Sequence, residues 1–306
     1  MSTVFLGTTD FAVAVLERLA GSEAHRPVLV VTRPDRPSGR GRHLSSPPVA
    51  RAARELGLEL AQPERVNAPE SVERIARAQP SAVIVCAFGA LIAEPLLSAH
   101  EMLNVHPSLL PRWRGAAPLE RAIIAGDART GVSIMRVTAG LDAGRVCAVL
   151  TEPIRAADTY GTLAERLRER GGELLIDVLD RRASGDALEF IEQDGAQATY
   201  AEKIVAADRV LDPLAPAVEA ERVVRALHPH IGARATLADG RMLGVHRAAL
   251  ASAERASAEP GIVARDGRLM LACSPGELEL LRVTPPGGHE MDGASYLRGH
   301  AVRGRS

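Results

Sequence analysis

The sequence predicts an α/β fold, with an N-terminal, Rossmann-like domain on a mostly parallel sheet and a C-terminal, OB-like β-barrel domain. Three observations carry this. The 306 residues exceed the ~100–200 typical of one domain, so two cores are expected. Over about the first 180 residues, short β-rich runs alternate with helical patterns, the signature of a helix-flanked parallel sheet. Later, "ARATLADGRMLGV" and "GIVARDGRLMLAC" each set Asp-Gly between alternating runs, the strongest short-range hairpin signal.

In order, "VFLG" reads as a strand and Phe11 to Leu19 as a helix. The strands "PVLVV" and "SAVIVCAFG" precede helical patterns at Val49 to Leu56 and Ile92 to Leu97. "MLNVHP" is a further strand, "LERAIIAG" a helix, "GVSIMRV" and "GRVCAVLTEPI" a strand pair, and Thr162 to Arg182 a long amphipathic helix. The stretch "SGDALEFIEQDGAQATYAEKI" mixes polarity with turn signals and reads as a linker packed partly on its neighbours. A helix at "AVEAERVVRAL" then introduces the hairpins. These boundaries place a first domain at 1–184, a linker at 185–204 and a second domain at 205–306.

Apolar residues make up 46% and charged residues 25% of the chain, which excludes a disordered or fibrous protein. The net charge of −1 means that any nucleic-acid contact must come from local patches. Residues 205–306 hold 13 Arg and 12 acidic residues, so the second domain is no strongly basic clamp. Lys203 is the single lysine, so phosphate contacts would be made by planar guanidinium groups. Cys86, Cys147 and Cys273 are odd in number, widely spaced and without a C-x-x-C pair. That fits a reducing compartment rather than a disulfide framework or zinc site. The start lacks a leader pattern and no apolar run spans a bilayer, so a cytoplasmic protein is expected, with no membrane partner.

"FLGTTDF" lies between a strand and a helix, where backbone N–H groups bind anions. Its one glycine fails the dinucleotide fingerprint, and Asp10 reads as a helix N-cap. Asn104 and His106, two apart in a strand, share a face at its C-terminal end, where open α/β sheets bind ligands. "GLDAG" sets Asp142 between glycines in the loop joining two strands, where the backbone can approach a ligand. Strand-end capping by Asn104 and His106, and turn formation by Asp142, are the plain alternatives. "RPDRPSGRGRH" carries four Arg among Pro and Gly, a basic loop near the same edge. A loop of this kind is either functional or merely solvated.

Together, "NVHPSLLPRWRGAAP" and "GVSIMRVTAGLDAGRV" resemble the signature of the folate-dependent formyltransferase family. The resemblance implies that Asn104, His106 and Asp142 are the catalytic set and that 10-formyltetrahydrofolate is the formyl donor, with no metal. It implies that Cys86, Ala87, Phe88, Gly89, Leu91 and Ile92 enclose the donor's pteridine together with Leu141. Ser108, Leu109, Leu110 and Pro111 complete the folate site. "FLGTTDFAVAVLERL", "RPDRPSGRGRHLSSPPV", "TYAEKI" and the barrel-like end resemble the branch that formylates initiator methionyl-tRNA. From that branch, Arg36, Arg40, Arg42 and Lys203 are expected to contact tRNA, and a monomer is expected. An amino sugar nucleotide or glycinamide ribonucleotide is the alternative acceptor, and a non-catalytic folate- or RNA-binding module the alternative of another class.

Overall fold

Strands buried on both faces need continuous apolar runs. Thr3–Gly7 (β1), Pro27–Val31 (β2) and Ala82–Cys86 (β6) supply them. The computed structural model describes residues 1–38, 43–254 and 259–302. It divides into two units. The first comprises Met1–Pro118, Arg129–Pro153 and Ala164–Ala201, and the second Leu119–Ala128, Ile154–Leu163 and Glu202–Ser306.

In the first unit, Asp10–Ala20 (α1) follows β1. The short strands Arg36–Ser38 (β3) and His43–Ser45 (β4) pair antiparallel after β2. Pro48–Glu55 (α2), Leu60–Ala61 (β5) and Pro69–Arg77 (α3) lead to β6. Then come Leu96–Ala99 (α4), Met102–His106 (β7) and Arg114–Gly115 (β8). Arg129–Arg136 (β9) and Val146–Pro153 (β10) follow Pro118–Ala125 (α5), which apart from Pro118 belongs to the second unit. Tyr160–Ala183 (α6), in this unit from Ala164 on, and Tyr200–Ala201 (β11) complete the series. The main sheet has the order β10-β9-β7-β6-β1-β2-β5. Its β5, β2, β1, β6 and β7 are parallel, while β9 and β10 run antiparallel to their neighbours. Helix α1 turns Phe11, Ala12, Val15, Leu16 and Leu19 to the core. Helix α6 lies close over the sheet at Gly171, where an added Cβ would stand 3.3 Å from Val132.

Three local readings need correction. The helix read at Ile92 to Leu97 is a single turn at Leu96–Ala99, because Pro95 has no N–H to continue a helix from Ile92. Asp10 lies in the first turn of α1, whereas the N-cap is Thr9, without a side-chain cap bond. The neighbouring Thr8 hydroxyl instead donates to the Phe88 carbonyl at 2.7 Å. Helix α3 escaped the sequence reading because it buries only Ser71 and Ile75.

The second unit packs Ala217–Leu227 (α7) on an antiparallel sheet of Ala233–Thr236 (β12), Met242–Ser252 (β13), Gly261–Arg265 (β14), Arg268–Ala272 (β15), Glu277–Thr284 (β16) and Met291–Asp292 (β17). The order is β12-β13-β16-β15-β14, with β17 on β16, and the sheet curls until β12 and β14 approach one another. Leu227, Leu243, Leu271, Leu278 and Leu280 fill it, and Gly293–Gly299 (α8) adds Tyr296. Both Asp-Gly turns occur where the sequence places them. Asp266 and Gly267 have φ of +49° and +72° between the paired residues Arg265 and Arg268, the two-residue turn that matches strand twist.

Candidate active site

Along β7 the side chains alternate: Leu103 and Val105 enter the core, while Asn104 and His106 take the opposite face. β7 is where parallel pairing gives way to antiparallel, through Asn104 to Met135 and His106 to Ser133 of β9. The chain then doubles back. Ser108 is fully buried and its Oγ donates to the Arg112 carbonyl at 2.7 Å. Ser133 Oγ donates to the Ser108 carbonyl at 2.7 Å and accepts from the Leu110 amide at 3.2 Å. The Leu110–Pro111 bond is cis.

Trp113 has φ of +63°, a left-handed conformation that is rare for a bulky residue and costs about 1–3 kcal/mol. Its N–H donates to Thr199 Oγ1 at 2.9 Å, while the Arg114 amide donates to the Thr199 carbonyl at 2.9 Å. That geometry aims the Trp113 carbonyl at His106 Nε2, 2.9 Å away. A carbonyl only accepts, so Nε2 carries a proton. The other ring nitrogen, Nδ1, faces Asp142 Oδ2 at 3.6 Å.

Asp142 also has positive φ, +45°. Its loop returns so closely to β9 that a Cβ on Gly144 would lie 1.8 Å from the Arg136 carbonyl. The carboxylate accepts from Asn104 Nδ2 at 3.3 Å and from the Gly115 amide at 2.9 Å. Asn104, His106 and Asp142 therefore converge, with 5% of the His106 side chain and 16% of the Asp142 side chain exposed. The sequence reading missed two contributors, the Trp113 carbonyl and the Gly115 amide. Both are backbone groups, and only the glycine in "WRG" offered a signal.

The expected folate residues fall into two groups. Leu91 and Leu141 are exposed, at 75% and 62%, and large apolar side chains so placed suit a flat ligand. Ala87 and Gly89 have positive φ and are exposed, with the Gly89 carbonyl accepting from Arg33. Cys86, Phe88 and Ile92 turn their side chains into the core, which leaves only their backbone for any ligand contact. Burial alone pushes the Cys86 thiol far above its usual range. Leu109, Leu110 and Pro111 are half-buried at the surface of the turn after β7. A cavity of about 460 Å³ opens beside Leu91, lined by Asn67, Ala68 and Ala90. A second, of about 300 Å³, lies between β2, β5 and α3, away from Asn104.

Of the expected tRNA contacts, Arg36 is exposed and pairs with Glu64 at 2.8 Å. Lys203 is exposed in the second unit. Arg40 and Arg42 lie outside the described residues.

A mostly parallel sheet that brings a carboxamide, an imidazole and a carboxylate together at the end of β7 offers what an acyl-type group transferase needs, hydrogen-bonding groups beside a place where charge can develop on a carbonyl oxygen. The chain belongs to the formyl transferase family, which matches residues 1–179, with the family's C-terminal domain matching residues 203–301. It is 43% identical to the methionyl-tRNA formyltransferase of Halorhodospira halophila over 98% of this chain and 96% of that one. It is 40% identical to the methionyl-tRNA formyltransferase of Methylococcus capsulatus over 100% and 99%. Among solved structures, HypX from Aquifex aeolicus in complex with tetrahydrofolic acid aligns with a TM-score of 0.64 at 18% identity. That alignment covers 99% of this chain but about half of HypX, at 48%. The N-formyltransferase from Helicobacter canadensis aligns with a TM-score of 0.65 at 14% identity, over 91% and 98%. These two show a shared fold.

Proposed function

We infer that this chain transfers the formyl group of 10-formyltetrahydrofolate to the α-amine of methionine on initiator methionyl-tRNA, the step that prepares the first residue for translation initiation. The observation that carries this is the convergence of Asn104, His106 and Asp142 in a chain matched end to end by methionyl-tRNA formyltransferases. Residues 1–184 carry the chemistry, 185–204 link, and the barrel at 205–306 binds tRNA. The protein works as a cytoplasmic monomer. No described helix is long and apolar enough to cross a membrane.

The methionine amine, unprotonated, attacks the formyl carbon. A C–N bond forms and the carbonyl oxygen takes negative charge. Asn104 spends one amide N–H on Asp142 and directs the other to that oxygen. His106 exchanges the Trp113 carbonyl for the oxyanion when the donor binds. Asp142, fixed by the Gly115 amide, orients the ring and helps move the proton from the attacking amine to N10 of the folate as the bond to N10 breaks. Leu91 and Leu141 cover the pteridine, and Ser108 acts from within by shaping the 108–112 turn. The donor carries the one-carbon unit, so the protein supplies orientation and electrostatics.

The test is formyl transfer from 10-formyltetrahydrofolate to methionyl-tRNA, glycinamide ribonucleotide or an amino sugar nucleotide, each alone. Formylation of methionyl-tRNA supports the reading. Turnover confined to a small acceptor, or none at all, overturns it.

A further inference from the structure

The segment between α6 and β11 has little regular structure, yet it is pinned beside the site. Ile191 and Val146 exchange both backbone hydrogen bonds, each at 2.9 Å, and Asp194 caps the short helical turn Gly195–Gln197. Between these anchors stands Gln193, half-buried, with its amide fully committed. Its Oε1 accepts from Arg114 Nε at 3.0 Å and Nη2 at 2.8 Å. Its Nε2 donates to the carbonyls of Asp142 at 2.8 Å and Gly144 at 2.7 Å. A guanidinium only donates and a carbonyl only accepts, so these four bonds fix which way the amide points. Arg114 is only 8% exposed, and its head group meets the Gln193 oxygen as a two-pronged fork.

We propose that Gln193 is a positioning residue for formyl transfer. It ties the Asp142 loop to β8, and thereby holds the Asp142 carboxylate against the Gly115 amide, Asn104 and His106. Asp142 sits in a left-handed conformation that its own backbone does not favour. The neighbouring Gly144 leaves no slack against β9. Two bonds to the loop's carbonyls hold that conformation, and the same side chain grips the residue next to Gly115. Loop and strand are thus set relative to one another by one amide. The proposal rests on the assignment of Asp142 to the reaction.

Gln193→Glu is the sharpest variant. It keeps the length and the bond to Arg114, but sets a carboxylate oxygen against two carbonyl oxygens that need donors. Gln193→Met keeps the length and loses all four bonds, and carries the test if the Glu variant does not fold. Single-turnover formyl transfer to methionyl-tRNA is measured for each, alone and combined with Asp142→Asn, together with KM for the tRNA and the active fraction.

Each Gln193 variant is expected to slow the single-turnover rate by roughly 10-fold to 10²-fold, the scale of a misplaced catalytic group. KM for the tRNA and the active fraction stay near parental values. In the Asp142→Asn background neither substitution lowers the rate further, because both act through the same carboxylate. A full multiplicative loss in that background overturns the positioning role, as does a loss confined to the active fraction. An unchanged rate in the Gln193 variants while Asp142→Asn is impaired also overturns it, and leaves the catalytic assignment intact. A parental rate in Asp142→Asn alone overturns that assignment and the proposal with it.

Discussion

The end of β7 and the basic hairpin β3–β4, both in the first unit, are built on opposite principles. His106 keeps 5% of its side chain exposed and engages the protein through both ring nitrogens. In the hairpin, Arg36 is 61% exposed and its partner Glu64 73% exposed. The first arrangement holds the His106 ring and the Asp142 carboxylate in place before any substrate arrives, which limits the reorganisation that stabilising a developing charge would cost. The second leaves a guanidinium in water in an ion pair worth about 0–1 kcal/mol, which a phosphate can displace at little cost. On the proposed function, the chemistry is held tightly and the capture of a polyanion loosely.

The largest effect expected from this contrast is at β7. Asn104→Ala and His106→Ala should each lower the single-turnover rate by ~10²–10³. They should differ in stability, because His106→Ala removes a 2.9 Å bond from the Trp113 carbonyl, a cost of about 1–3 kcal/mol, whereas Asn104→Ala removes a longer, 3.3 Å bond from a carboxylate that keeps the Gly115 amide. Thermal melting beside the rate assay separates the two. A parental rate in either variant breaks the contrast.

Gly144→Ala should come next. The new Cβ has no room beside the Arg136 carbonyl, so the Asp142 loop must move. We expect a loss on the order of 10² in rate with about 1–3 kcal/mol of destabilisation. Denaturant titration and single-turnover kinetics read both. An active, equally stable variant would show that the loop tolerates displacement.

The hairpin should give smaller and different effects. Arg36→Ala should leave stability within about 0.5 kcal/mol and raise KM for the tRNA. The dependence of log binding on log salt should fall by roughly one charge. Arg40→Lys keeps the charge and loses the planar fork, so it should impair formylation of methionyl-tRNA without altering binding of the folate donor. Parental formylation by Arg36→Ala and Arg40→Lys across a salt series would make the basic segment 33–43 a bystander.

The smallest effect concerns acid. Burial would raise the Glu101 carboxyl, but Arg136 and Arg182 outweigh it and hold the group below its usual range. A lowered folded value contributes stability above the unfolded value, about 4.3, and that contribution fades as pH falls through the folded one. Glu101→Gln should therefore flatten the stability profile below about pH 4. An unchanged profile would dismiss this cluster as a brace for β9.

How much of this was legible varies by residue. Asn104 and His106 were legible because a two-residue spacing in a strand dictates a common face. Asp142 was legible as a carboxylate in a glycine loop, but not its distance from His106, since the two lie 36 positions apart. The exposed Leu91 and Leu141 and the inward Cys86, Phe88 and Ile92 were indistinguishable as apolar residues beside glycines. Gln193 offered no pattern at all. It sits in a segment of mixed polarity, and its proposed role comes from four hydrogen bonds to three residues in two distant stretches.

The sequence by itself determined the alternating strands and helices, the two Asp-Gly hairpins and the residue types of the site, because these depend on periodicity and on local backbone preference. Tertiary structure alone decided which carbonyl meets His106 and which amide meets Asp142. It also decided why Trp113 adopts a left-handed conformation. Each of those contacts uses a backbone group, met by a partner 7 to 86 positions away in the chain. Every residue but proline carries the same donor and acceptor there, so no side-chain pattern marks which of them will be used.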